Sequence, residues 1–115
     1  MQAVKAEIIA IGDELLYGQI MDTNSHWISQ ELDAVGVRVV RKTTVGDNRI
    51  DILTAFEEAS KRADLILITG GLGPTQDDLT KPLLAEFFGC EIVEVPEAVA
   101  AVSSYFLRRG REMTP

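Results

Sequence analysis

The chain has 115 residues, of which 46% are hydrophobic and 25% are charged, and its net charge is -7. This composition is that of one globular domain, and the acidic balance argues against binding nucleic acid through clustered lysine and arginine. A single cysteine cannot form an internal disulfide, and no apolar run is long enough to cross a bilayer, so we expect a cytoplasmic protein without a membrane segment.

The first predicted elements are a strand and a helix. Residues 6–11 form an apolar run that predicts a mostly buried strand, which ends at Gly12 and Asp13. Residues 23–25 offer capping side chains for a helix that ends at Gly36. The expected apolar face of this helix, including a tryptophan in the core, consists of Trp27, Ile28, Leu32 and Val35.

A second strand and helix follow, and then a third strand. Valines predict a strand over residues 37–45, and the break at 46–48 can cap the next helix. The apolar face of that helix is Ile52, Leu53, Phe56 and Ala59. Residues 65–68 show no polar alternation, which is typical of a strand that is covered on both faces of a parallel sheet.

Glycines follow the third strand, and a third helix is expected to start near Asp78 and to end at Gly89. Its predicted inward side chains are Leu83, Leu84, Phe87 and Phe88. Residues 91–95 alternate as an edge strand does, and Pro96 opens a final predicted helix. No linker interrupts residues 1–115, which we interpret as a single domain, incomplete at its C-terminal end because the last helix is followed by no terminal strand.

Alternation of strands and helices predicts an α/β fold, a three-layer α/β/α sandwich with a mostly parallel sheet. Ligands of such folds bind at the carboxyl ends of the strands. The carboxylates expected at this edge are Asp13, Glu14, Asp47, Asp77 and Asp78. Like charges this close need compensation, and a hard cation such as Mg2+ bound to ligand phosphates would supply it.

Two of these carboxylates have a structural alternative. Asp47 and Asp78 each precede a predicted helix, where aspartate is a good N-cap. For Asp47 the capping and functional interpretations are equally well supported, whereas the glycine-rich loop before Asp78 favours a functional role.

The glycine loop at residues 70–73 can bring backbone N–H groups close to an anion. It lacks the spacing of a dinucleotide-binding loop and the lysine of a Walker loop, so ATP hydrolysis of the P-loop type is not expected. The loop therefore predicts a phosphate-binding site of another kind.

Four segments, in this order, resemble the molybdopterin-binding domain family: residues 12–16 (GDELL), 18–24 (GQIMDTN), 45–47 (VGD) and 69–80 (TGGLGPTQDDLT). Within the family they are most similar to the N-terminal domain of CinA-like, competence/damage-inducible proteins. Leu72 stands where the cofactor-synthesising branch usually has threonine, which favours the CinA-like branch.

The resemblance implies binding of a phosphorylated pterin or nucleotide, and for CinA-like members a metal-dependent hydrolysis of a nucleotide pyrophosphate such as ADP-ribose. It matches Asp47, Asp78 and Thr80 to functional positions, and places Asp22 and Asn24 on the family's polar stretch. With the glycine loop and the rim, the predicted ligand-binding residues are Gly12, Asp13, Asp22, Asn24, Gly70, Gly71, Gly73, Thr75 and Thr80. Asp47 and Asp78 are the predicted catalytic residues, and these two with Glu14 are the predicted metal ligands.

Three hypotheses follow. The first is a hydrolase that acts on a nucleotide pyrophosphate, and the second is a module that binds molybdopterin or a nucleotide without turning it over. The third is an assembly domain without a small ligand. A homo-oligomer is expected, because relatives associate and the sheet is unfinished.

Overall fold

Strands and helices alternate along the chain as predicted. The structure is a computed structural model that describes residues 4–73, 75, 76 and 78–89. Its elements are β1 (Lys5–Ile11), α1 (Asp13–Leu16), α2 (Thr23–Ala34), β2 (Arg38–Val45), α3 (Arg49–Arg62), β3 (Leu65–Thr69) and α4 (Thr80–Phe88). The short helix α1 was not predicted, while the strand expected at 91–95 and the helix after Pro96 lie outside the described residues.

The three described strands form one parallel sheet in the order β2-β1-β3. In register, Ile11 pairs with Val45 of β2, and Ala10 pairs with Thr69 of β3. The connection through α2 leads from β1 to β2 on one side of it. The connection through α3 then leads from β2 past β1 to β3 on the other side of β1. Right-handed connections then place α2 and α3 on opposite faces of the sheet, as a layered α/β fold requires.

β1 is the buried centre of the sheet. All its residues from Ala6 to Ile11 are buried, so both faces of the strand are covered. Ile9 and Ile11 pack into a core with side chains of α3 and α4, among them Ile52, Phe56 and Leu83. Strands covered on both faces are the rule for parallel sheets between helices. β3 is less enclosed than predicted, because its side chains are only half-buried and Leu65 is exposed.

Two aromatic residues expected in the core are exposed, so these predictions were wrong. Trp27 is 61% exposed, because α2 turns Ser25, Ile28 and Leu32 inward instead. Phe88 is 70% exposed and packs edge-on against the ring of its neighbour Phe87. In both helices the inward stripe is narrower than the apolar pattern suggested. None of the described helices is long and apolar enough to span a membrane.

A carboxylate lies inside the sheet layer. Glu7 of β1 is fully buried, and the guanidinium of Arg62 at the end of α3 donates to it from Nε at 2.6 Å and from a terminal nitrogen at 3.0 Å. The hydroxyl of Thr43 donates to the same carboxylate at 3.0 Å. These bonds hold the pKa of Arg62 above its usual value, mainly through the hydrogen bonds to Glu7. The pair ties α3 to the two neighbouring strands.

Candidate functional site

The carboxyl ends of the three strands meet at one edge of the sheet, which we call the rim. β1 ends at Ile11, β2 at Val45 and β3 at Thr69. The Gly12 N–H donates to the Val45 carbonyl at 2.9 Å, which joins the first two strand ends. The segments that follow these ends carry the residues predicted to bind a ligand.

Asp13 and Asp47 form a reciprocal pair across the rim. The Asp47 N–H donates to Asp13 Oδ1 at 2.9 Å, and the Asp13 N–H donates to Asp47 Oδ2 at 3.2 Å. A Cβ added at Gly46 would lie 2.5 Å from Asp13 Oδ1, so glycine leaves room for the pair. The N-cap alternative for Asp47 is wrong, because α3 is capped by Asn48.

The glycine loop begins with a tight turn at Gly70 and Gly71, whose φ angles are +85° and +61°. These left-handed conformations favour glycine. The buried Thr80 holds the turn from α4: its hydroxyl donates to the Gly70 carbonyl at 2.7 Å, and its N–H donates to the Gly71 carbonyl at 3.1 Å. The Thr80 hydroxyl is thus used inside the loop.

Asp78 closes the far part of the same loop. Its Oδ2 accepts from the Thr75 hydroxyl at 2.6 Å and from the Thr75 N–H at 3.2 Å. The Thr75 hydroxyl bond is the main reason why the pKa of Asp78 lies below its usual value. A Cβ at Gly73 would lie 2.5 Å from this carboxylate. Helix α4 starts at Thr80 with Leu79 at the cap position, so the alternative interpretation of Asp78 as the N-cap of this helix was wrong.

A cavity of about 150 Å³ opens at the rim between the ends of β1 and β3. Four of the predicted site residues line it: Glu14, Asp22, Asn24 and Gly70. Asp22 also caps α2, since its Oδ1 accepts the Ser25 N–H at 3.0 Å. β2 lies on one side of β1 and β3 on the other, so the strand order reverses between β1 and β3. The cavity therefore lies at the topological switch point, where open α/β sheets bind ligands.

The three predicted metal ligands do not form one centre. Asp47 is paired with Asp13, Asp78 is bonded to Thr75, and Glu14 lies at the cavity. Throughout residues 4–73, 75, 76 and 78–89, no three histidine, cysteine, aspartate or glutamate side chains come together in a way that could hold a metal ion. We therefore assign no chemical step to a metal at these residues.

Sequence reasoning missed several residues of the rim. Leu15, Ile20 and Met21 line the cavity beside the acidic residues, and no pattern in the sequence distinguishes them from ordinary loop residues. The hydrogen bonds between Thr75 and Asp78 could have been predicted from the sequence, because a threonine followed three residues later by an acid has the spacing of a capping box. The pairing of buried Glu7 could have been predicted too, because a charge inside an otherwise apolar strand needs a partner.

Comparison with known proteins identifies the family of this chain. The family model described as "Probable molybdopterin binding domain" matches residues 7–111. A "CinA-like protein" from Cytophaga hutchinsonii is 49% identical over 110 residues, which cover 96% of this chain and 26% of that protein. The chain thus spans about a quarter of the length of this curated relative.

Solved structures share the fold. The crystal structure of the protein CinA, of unknown function, from Thermoplasma acidophilum has a TM-score of 0.77 at 33% identity, over 98% of this chain and 66% of that one. The tungsten cofactor synthesizing protein MoaB from Pyrococcus furiosus has a TM-score of 0.68 at 30% identity, over 75% of this chain and 54% of that one. With its CinA-like relatives, the chain therefore belongs to the family of probable molybdopterin-binding domains.

Proposed function

We propose that this domain binds a small phosphorylated ligand, a pterin or a nucleotide, at the rim between β1 and β3. The observation that carries the proposal is the cavity at the topological switch point, lined by Glu14, Asp22, Asn24 and Gly70. Family membership supports a pterin-type ligand. At about 150 Å³ the cavity is smaller than the roughly 300 Å³ at which pockets for whole ligands begin, so it would hold one end of the ligand.

In this proposal the other predicted residues act by shaping the rim. Asp13 and Asp47 keep the ends of β1 and β2 together, and Thr80 holds the glycine turn. Asp78 bonds to Thr75 and lies against Gly73. Their carboxylates and hydroxyls would set the position of the backbone around the ligand.

The experiment is a thermal shift and calorimetry series with pterin, AMP and ADP-ribose. A ligand that binds only the folded state at 100 times its Kd stabilises it by about 2.7 kcal/mol, which is easily seen in the melting temperature. The assembly-domain hypothesis predicts no shift with any of them. A variant with leucine at the cavity, Asn24→Leu, should lose the shift, whereas Glu31→Gln on the exposed part of α2 should keep it.

Hydrolysis of a nucleotide pyrophosphate such as ADP-ribose is the second candidate. It is supported by the 49% identity to a CinA-like protein, although this chain covers only 26% of that relative. Release of AMP from ADP-ribose, with and without added Mg2+, tests it. Release that needs Mg2+ and disappears in Asp78→Asn, assayed well below the melting temperature of that variant, would favour the hydrolase, and binding without release would favour the binding module.

The cytoplasmic location and the homo-oligomer expected from the sequence stay predictions. Light scattering at several protein concentrations would measure the number of subunits. The predicted single domain likewise awaits limited proteolysis, which should leave one resistant fragment.

A further inference from the structure

β2 is an outer strand of the described sheet. It pairs with β1 along one side, and no strand among the described residues lies on its other side. The exposed side chains of β2 include those of Arg38, Val40 and Thr44. An outer strand presents N–H and C=O groups that can pair with a strand of another chain. The outer edge of β2 is therefore a candidate interaction surface.

The two halves of β2 differ in how well they can accept a partner. The first half contains the exposed residues Arg38, Arg41 and Lys42, and its pairing with β1 skips Val40. Charged side chains and bulges are features that keep the edges of sheets from pairing. The second half, residues 43–45, carries no charge and pairs regularly with β1. This second half is the part of the edge that can accept a strand.

A groove of about 330 Å³ lies between this second half of β2 and helix α3. Two exposed carboxylates, Asp51 and Glu58, line the groove, and no lysine or arginine is among its described lining residues. Glu58 lies 3.9 Å from Arg62, whereas Asp51 forms no ion pair within the described chain. The groove thus attracts a cation, and Asp51 is the carboxylate best placed to pair with it.

β2 itself carries such a cation on the face that the groove occupies. Arg41 pairs in register with Glu7 of β1, and the Thr43 hydroxyl donates to the Glu7 carboxylate. Arg62 of α3 donates to the same carboxylate. Register partners, and residues two apart in a regular strand, lie on one face of a sheet. Arg41 therefore lies on the α3 face, and its charge is complementary to that of the groove.

We propose that two copies of this chain form a dimer in which the second halves of their β2 strands pair antiparallel around a two-fold axis at Thr43. An axis perpendicular to the sheet keeps both α3 helices on the same face. Arg41 then lies opposite Val45 of the second copy, beside the groove that Asp51 lines. Because the contact is two-fold symmetric, the ion pair between Arg41 of one copy and Asp51 of the other occurs twice.

Like charges favour this register over its alternatives. Pairing around Arg41 or Lys42 would set a cation directly opposite its own copy, which is destabilising. Pairing around an earlier residue would include the irregularity at Val40. An axis at Thr43 avoids both. Since each copy has a net charge of -7, two copies repel one another over most of their surfaces, and a surface that brings a cation to an acidic groove is favoured for association.

Light scattering and sedimentation of the 115-residue chain test the dimer over about a hundredfold range of concentration. The wild type should change from monomer to dimer within this range. Arg41→Glu and Asp51→Lys should each raise the Kd of the dimer about tenfold or more, because each sets like charges against one another twice. The double variant restores an ion pair of reversed polarity, so its Kd should return to within about threefold of the wild-type value.

Glu57→Lys is the matched control. It makes the same change of charge as Asp51→Lys at an exposed position of α3 outside the described groove lining, and it should dimerise as the wild type does. Melting curves show that each variant is folded at the temperature of the assay.

A wild type that is monomeric at every concentration would overturn the inference. A dimer that Arg41→Glu and Asp51→Lys leave as tight as the wild type would also overturn it, and so would a double variant no tighter than the single variants. The dimer does not depend on the ligand proposed above, because the β2 edge and the cavity between β1 and β3 lie on different sides of β1.

Discussion

Replacing Gly71 by alanine should destabilise the domain more than the same change at Gly36, a left-handed glycine with open space around it. The conformation at Gly71, with φ +61°, costs an alanine about 1–2 kcal/mol. The added Cβ would also collide with the Thr80 hydroxyl, which bonds the Gly70 carbonyl at 2.7 Å. Losing that bond costs about 1 kcal/mol more, so the total is about 2–3 kcal/mol.

Gly36 is the matched control, because its φ is +80° and nothing lies within 4 Å of an added Cβ. Gly36→Ala should therefore cost about 1–2 kcal/mol, the strain alone. Urea unfolding of both variants gives the difference, and a double-mutant cycle of Gly71→Ala with Thr80→Ala isolates the contact, with an expected coupling of about 1 kcal/mol. Equal losses at Gly71 and Gly36 with no coupling would show that Thr80 does not enclose the turn.

Three further predictions concern charged groups. The pKa of Asp78 is lower in the folded state than its ordinary value of 3.8. The ionised carboxylate therefore stabilises the fold above pH 3.8, and this contribution is lost as the pH falls through the lower folded pKa. The difference in melting temperature between wild type and Asp78→Asn should shrink below about pH 4. Glu7→Gln should lower the free energy of unfolding by about 1–3 kcal/mol in urea titrations, since it weakens the hydrogen bonds that the partly exposed Arg62 donates to the buried carboxylate, and an unchanged free energy would contradict the pairing. Arg49→Gln breaks a bridge between Arg49 and Glu86 whose partners are both exposed, so calorimetric melting should be unchanged within error.

The fold could be predicted from local patterns because most of its determinants are local. Apolar runs located β1 and β3, and the glycine at 89 ends α4 with φ +65° as expected. The exposed Trp27 was not predictable, because a helix buries only the stripe that faces its sheet and the sequence does not show the rotation of the helix. The rotation of α2 against the sheet, and not its apolar pattern, determines which of its side chains are buried.

The arrangement of residues around the rim was predicted in part. The rule that strand ends share an edge correctly indicated that Gly12, Asp47 and Gly70 follow strands meeting at the rim. It could not show which acids face one another, since that depends on strand order and side-chain direction. For this reason Asp47, Asp78 and Glu14 are predicted as ligands of one metal, whereas in the structure Asp47 bonds to Asp13 and Asp78 bonds to Thr75.

The central place of β1 in the sheet has a consequence for how the chain folds during synthesis. Ala6 pairs with Leu65, so one edge of the first strand waits for a partner that leaves the ribosome 59 residues later. At about 5–20 residues per second this interval lasts roughly 3 to 12 s. During that time an apolar strand is open to wrong partners, which is the stage at which a nascent chain of this topology most needs a chaperone.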